Sequence, residues 1–94
     1  MSTVSTDEQD ARCEYAKERL QETQARIVQK YAWIEEIANE IKVIRENKPF
    51  TQEEFIAQKN AIAFKERQLN EVQKVLNVLQ AKARHFARAL EITL

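Results

Sequence analysis

Apolar residues recur at every seventh position in two long stretches of this chain. The first row is Cys13, Leu20, Ile27, Ile34 and Ile41, and the second is Phe55, Ile62, Leu69, Leu76, Ala83 and Leu90. Seven residues make two turns of an α-helix, so each row lies along one helical face that seeks a partner. Pro49, the single proline, stands between the rows, and the chain contains no glycine. The pattern therefore predicts two long helices and one break. No breaker interrupts either span, so each helix runs for ~40 residues and ~60 Å.

The second helix has the sharper start. Thr51 followed by Glu54 forms a capping box, in which side chains satisfy backbone N–H groups left free at a helix start. Phe50 and Phe55 bracket that box at the spacing of a hydrophobic staple. These signals predict a helix over 52–92. For the first helix, Ser5 with Glu8 or Thr6 with Gln9 offers the same box, and Asp7, Glu8 and Asp10 suit the positive end of the helix dipole. It is expected over 6–47. Asn47 can take the left-handed cap, and Lys48 is pushed out of helical geometry by the ring of Pro49. Residues 1–5 read as a flexible tail, 48–51 as the turn, and 6–94 as a single domain.

Two equal helices joined by a short turn fold back on each other. The fold class is all-α, an antiparallel two-helix hairpin resembling a coiled coil. Charge favours the same arrangement: Asp7, Glu8, Asp10, Glu14, Glu18 and Glu22 would lie beside Lys74, Lys82, Arg84 and Arg88. Each such pair contributes only about 0.3 to 0.5 kcal/mol, but their common sign opposes a slipped register. The expected core of the hairpin is Leu20, Ile27, Ile34, Ile41, Phe55, Ile62, Leu69, Leu76 and Leu90.

The apolar arc is wider than a two-helix seam needs. Tyr15, Trp33, Ile37 and Ile44 flank the first row, and Ala61, Phe64, Val72, Val75, Leu79 and Phe86 flank the second. A second copy covering this stripe would give a homodimeric four-helix bundle. The residues expected at that interface are Trp33, Ile37, Ile44, Phe64, Val75 and Phe86. A helix or groove of another protein could cover the same stripe. Thr23, Gln24, Lys30, Gln58 and Lys65 interrupt the apolar surface. Their long stems can snorkel to solvent, or they can fix register and oligomeric state.

Composition narrows the chemistry. The 94 residues include 15 acidic and 15 basic side chains, so the net charge is zero and any electrostatic partner must be met by a local patch. Without glycine a phosphate-cradling loop of the Walker or dinucleotide type is excluded. Cys13 is the only cysteine, which rules out an internal disulfide, and its place on the apolar row suits a small buried thiol. Met1 to Asp10 has the pattern of neither a signal nor a transit peptide, no apolar run approaches a membrane span, and a cytoplasmic location is the expectation.

Candidate catalytic groups are sparse. His85, the only histidine, has Lys82 three residues before it, where a carboxylate-bridged metal site needs Glu. Glu35 and Glu36 with Glu40 could pair carboxylates, but Glu35 and Glu36 are sequence neighbours and diverge on a helix, and a two-helix hairpin lacks the concave, desolvated pocket that acid–base chemistry needs. The expectation is a protein without catalytic residues, cofactor or metal. Arg67, Lys74, Arg84 and Arg88 form a candidate basic face on the second helix. They lack interleaved aromatics, so nucleic acid is the third choice of partner. Acidic faces could also dock on basic faces of neighbouring copies. Lys82 to Leu94 has the composition of a membrane-surface helix, but the seven-residue row continues through it as core. The turn between the helices is accounted for by its own caps. The pattern points first to a non-enzymatic hairpin that self-associates as a structural or adaptor module. Second comes a small regulator or inhibitor docking on a larger enzyme or nucleoprotein complex.

Overall fold

A computed structural model describes the backbone of residues 2–93 and the side chains of residues 8–91. Among the described residues the chain is all-helical, with two long helices: α1 (Ser2–Glu46) and α2 (Gln52–Thr93). α1 starts before Thr6 and takes in 2–5, the segment expected as a tail. Its first turn consequently holds no acidic residue, and Asp7, Glu8 and Asp10 lie beyond the reach expected for them. The capping-box side chains of Ser5 and Thr6 lie outside the described side chains. The chain divides into two compact units, one of Met1–Val28 with Asn77–Leu94 and the other of Gln29–Leu76.

The second unit, Gln29–Leu76, contains the connection between the helices. No described residue has positive φ, so α1 ends without the left-handed Asn47 cap. The amide of Gln58 takes that role from α2. Its Nε2 donates to the Ile44 carbonyl at 2.6 Å and to the Asn47 carbonyl at 2.8 Å. Asn47 N–H also donates to the Ile44 carbonyl at 3.3 Å. These bonds satisfy acceptors that the last turn of a helix otherwise leaves open.

At the start of α2 the capping box forms. The Glu54 N–H donates to Thr51 Oγ1 at 3.1 Å, and the Glu54 carboxylate accepts the Phe50 N–H at 2.8 Å. The staple does not form, because Phe50 is 95% exposed and cannot be covered by Phe55. Polar bonds already fix the chain's approach to α2, so the Phe50 ring is left in water.

The core of this unit is Ile37, Ile41 and Val72, with Ile34, Ile62 and Leu69 packed against it. Leu76 is buried as well. Two expected roles are exchanged. Ile37, expected at a partner interface, is 2% exposed, whereas Phe55, expected in the core, is 55% exposed. A helical seam is made by two rows, three residues apart in each seven, and not by one row alone. The row three residues after the first apolar row contains Ala16, Thr23, Ile37 and Ile44. Its counterpart in α2 contains Val72, Leu79 and Phe86. Ala16, Thr23, Ile37, Val72 and Leu79 are all buried, and Ile44 and Phe86 are partly buried. Phe55 heads its row beside the connection, where the seam begins.

In the other unit, Ala16, Thr23 and Leu79 are buried, while Cys13, Leu20, Ile27, Phe86 and Leu90 are partly covered. Thr23 is accommodated locally: its hydroxyl donates to the Arg19 carbonyl at 2.7 Å, one turn earlier on α1. In this unit Arg19 and Glu22 form an ion pair within α1 at 3.3 Å.

Candidate interaction surface

In the second unit each polar interruption of the seam has a specific partner. Gln58 caps α1 as described, and Lys65 forms an ion pair with Glu40 across the two helices. Lys30 places its Nζ 5.1 Å from the centre of the Trp33 ring, a cation–π contact. Arg45 and Glu66 form a second pair between the helices at 3.2 Å. Among the described side chains no buried nitrogen or oxygen lacks a hydrogen-bond partner. The polar atoms of the seam are therefore matched, and Gln24 faces solvent.

Several large apolar groups nonetheless stay in water. Trp33 and Val75 are each 45% exposed, and they meet at a shallow groove of about 130 Å³ with Lys30, Glu71 and Val72. Phe64 is more exposed than either and lies outside that groove. A second, open groove of about 740 Å³ has Ala32, Val43 and Ile44 as its apolar surface. Glu35, Glu36 and Glu40 edge it, and Lys65 offsets Glu40. Of the six residues expected at an interface, the structure thus brings Trp33 and Val75 together. It leaves Phe64 exposed, partly covers Ile44 and Phe86, and places Ile37 in the core.

The first unit has a groove of opposite character, about 580 Å³ in volume. Tyr15, Val78 and Phe86 provide apolar surface, while Arg19, Arg26, Lys82 and His85 provide positive or titratable groups against Glu22. The Arg19 guanidinium lies 5.3 Å from the Tyr15 ring centre. Its pKa is raised above the ordinary arginine value, first by hydrogen bonding to Tyr15 and then by the charges of Tyr15 and Glu22. His85 meets the Phe86 ring edge-on at 5.5 Å between centres.

None of the four residues expected as a basic face, Arg67, Lys74, Arg84 and Arg88, lines these grooves. All four are exposed, and Lys74 is paired with Glu71 at 3.3 Å. The basic groove was readable by another route. Arg19 and Arg26 are seven residues apart, each just before a residue of the apolar row. That position flanks a helical seam and commonly carries the charges that choose a partner.

Among the described residues no group of three or more His, Cys, Asp or Glu side chains could hold a metal ion. No described helix is long and apolar enough to cross a membrane. Cys13 is a free, partly buried thiol. Shallow apolar surfaces with charged rims are suited to receiving the side chains of another helix. Comparison with family models, curated proteins and solved structures gave no match.

Proposed function

We propose that this protein is a non-enzymatic helical-hairpin module that self-associates and serves as a structural or adaptor element. The favoured assembly is a homodimer that brings four helices together. One observation carries the reading: Trp33 and Val75 share a groove of the second unit and remain nearly half exposed. Tryptophan is the largest apolar surface a side chain offers, and it is enriched where interfaces concentrate their binding energy. Within that groove Lys30 contacts the Trp33 ring and Glu71 is paired with Lys74, so apolar burial is the main interaction the Trp33 and Val75 surface has left to make.

The test is absolute mass by light scattering behind size exclusion, over a concentration series. The expected result is a mass above the 11.1 kDa of one chain. Trp33→Glu should lower that mass and leave helicity largely intact, because Trp33 lies outside the buried core. Unchanged mass for this variant overturns the assignment of the surface.

A second reading draws on the first unit. The groove around Arg19, Arg26, Lys82 and His85 has the chemistry to receive an acidic amphipathic helix of a larger partner. A regulator acting this way would be a monomer or weak dimer alone. It would lose its partner when Arg26 and Lys82 are both replaced by Glu, with no change in the mass of the free chain.

A further inference from the structure

We propose that the contact between copies is two-fold and antiparallel along α1, with Trp33 at its centre and Lys30 of each copy opposite Glu36 of the other. This rests on the self-association proposed above and specifies its geometry. Trp33 is half-exposed in α1, and Lys30 and Glu36 stand three residues before and three residues after it. At 1.5 Å per residue they lie at equal distances of about 4.5 Å along the helix axis. A two-fold dimer is self-complementary: whatever residue i meets on the partner, the partner's residue i meets in return. An antiparallel axis through Trp33 therefore brings the two indoles together and sets Lys30 against Glu36 twice. A parallel pairing sets Lys30 against Lys30 and Glu36 against Glu36, and such like-charge contacts oppose association.

The surroundings agree with this choice. Lys30 already places its Nζ over the Trp33 ring, 5.1 Å from the centre, so its charge is held beside the indole at the proposed contact. Val75 extends the contact from α2, and Glu71, the acid lining the same groove, is engaged by Lys74 at 3.3 Å. Glu36 is exposed on the acidic groove of the same unit with Glu35, while Glu40, the third carboxylate there, is taken by Lys65.

Charge reversal in the full-length chain separates this contact from self-association in general. Lys30→Glu gives four carboxylates around the centre, and Glu36→Lys gives four ammonium groups. Each variant alone should dimerise about tenfold more weakly or worse, since two favourable pairs become two repulsive ones. Mixing the two variants should restore the wild-type mass, because both pairs are then of opposite sign. Trp33 is the only tryptophan, so its fluorescence reports on the contact directly. In the wild type its emission should move to shorter wavelength as concentration rises through the dimerisation range. If the wild type dimerises while Trp33 emission stays fixed, or if both variants dimerise as the wild type does, this contact is wrong and self-association stands. A wild-type monomer at every concentration overturns both.

Discussion

Gln58 shows what a polar residue in an apolar seam can do. It belongs to the row that also contains Val72 and Leu79, yet its amide turns to the carbonyls of Ile44 and Asn47 and closes the end of α1. With no glycine to supply a left-handed cap, this bond replaces a local device with one from the other helix. Gln58→Ala should lower stability by about 1 to 2 kcal/mol, the usual effect of losing a cap or leaving an acceptor unpaired. It should appear as a lower urea midpoint at unchanged slope, which separates a loss of stability from a change in the unfolded state. The capping box permits a sharper comparison. Thr51→Ala removes the acceptor for Glu54 N–H and should cost about 1 kcal/mol. Phe50→Ser, in contrast, should stay within about 0.5 kcal/mol, because that ring is already in water. A large loss for Phe50→Ser in the same urea titration would show that a staple forms in solution after all.

At the scale of the helices, periodicity was the legible part. Seven-residue rows and Pro49 were enough to locate α1, α2 and the break between them, because helix length and breaker position follow from local chemistry. Assigning faces was harder, and Ile37 and Phe55 show why. The rows read as core were continuous in apolar character, whereas the companion rows were broken by Thr23, Lys30, Gln58 and Lys65. Those interruptions made the companion rows resemble an outer stripe. In the structure each finds its own partner, which lets the rows stay in the seam. A cap, a back-bond to a carbonyl, a cation–π contact and an ion pair between helices all depend on neighbours that spacing along one helix does not reveal. The pairing of Trp33 with Val75 is of the same kind, since it joins residues distant in sequence. Truncations measure the exchange of roles. Leu76→Ala and Ile37→Ala should each cost about 2 to 5 kcal/mol, the range for opening a cavity in a packed core. Phe55→Ala should cost less than half of that despite removing more atoms, because the ring is half-exposed. Equal losses at Ile37 and Phe55 in chemical denaturation would contradict the core described here.

For the molecule as a whole, the question is what offsets the entropy of ordering two helices of 45 and 42 residues. Fixing each residue costs roughly 1 to 2 kcal/mol, and short chains bury a smaller fraction of their surface than long ones. Among the described residues the buried apolar side chains are Ala16, Ile37, Ile41, Val72, Leu76 and Leu79, and one of these is only a methyl group. Tyr15, Trp33, Val43, Phe64, Val75 and Val78 meanwhile stay about half exposed. Covering part of that surface with a second copy adds burial without ordering a new chain from the unfolded state. Folding and association should then be coupled, and stability should depend on protein concentration. For a two-state dimer, a hundredfold dilution removes about 1.4 kcal/mol per chain. In a domain of this size that lowers Tm by about 5 to 10 °C. Circular dichroism melts at two concentrations a hundredfold apart measure this directly. Trp33→Glu should melt at one temperature regardless of concentration, close to or below that of the dilute wild type. A wild-type Tm that does not move with dilution would mean that the chain's own seam suffices for folding. The exposed Trp33 surface would then be kept for a partner other than itself.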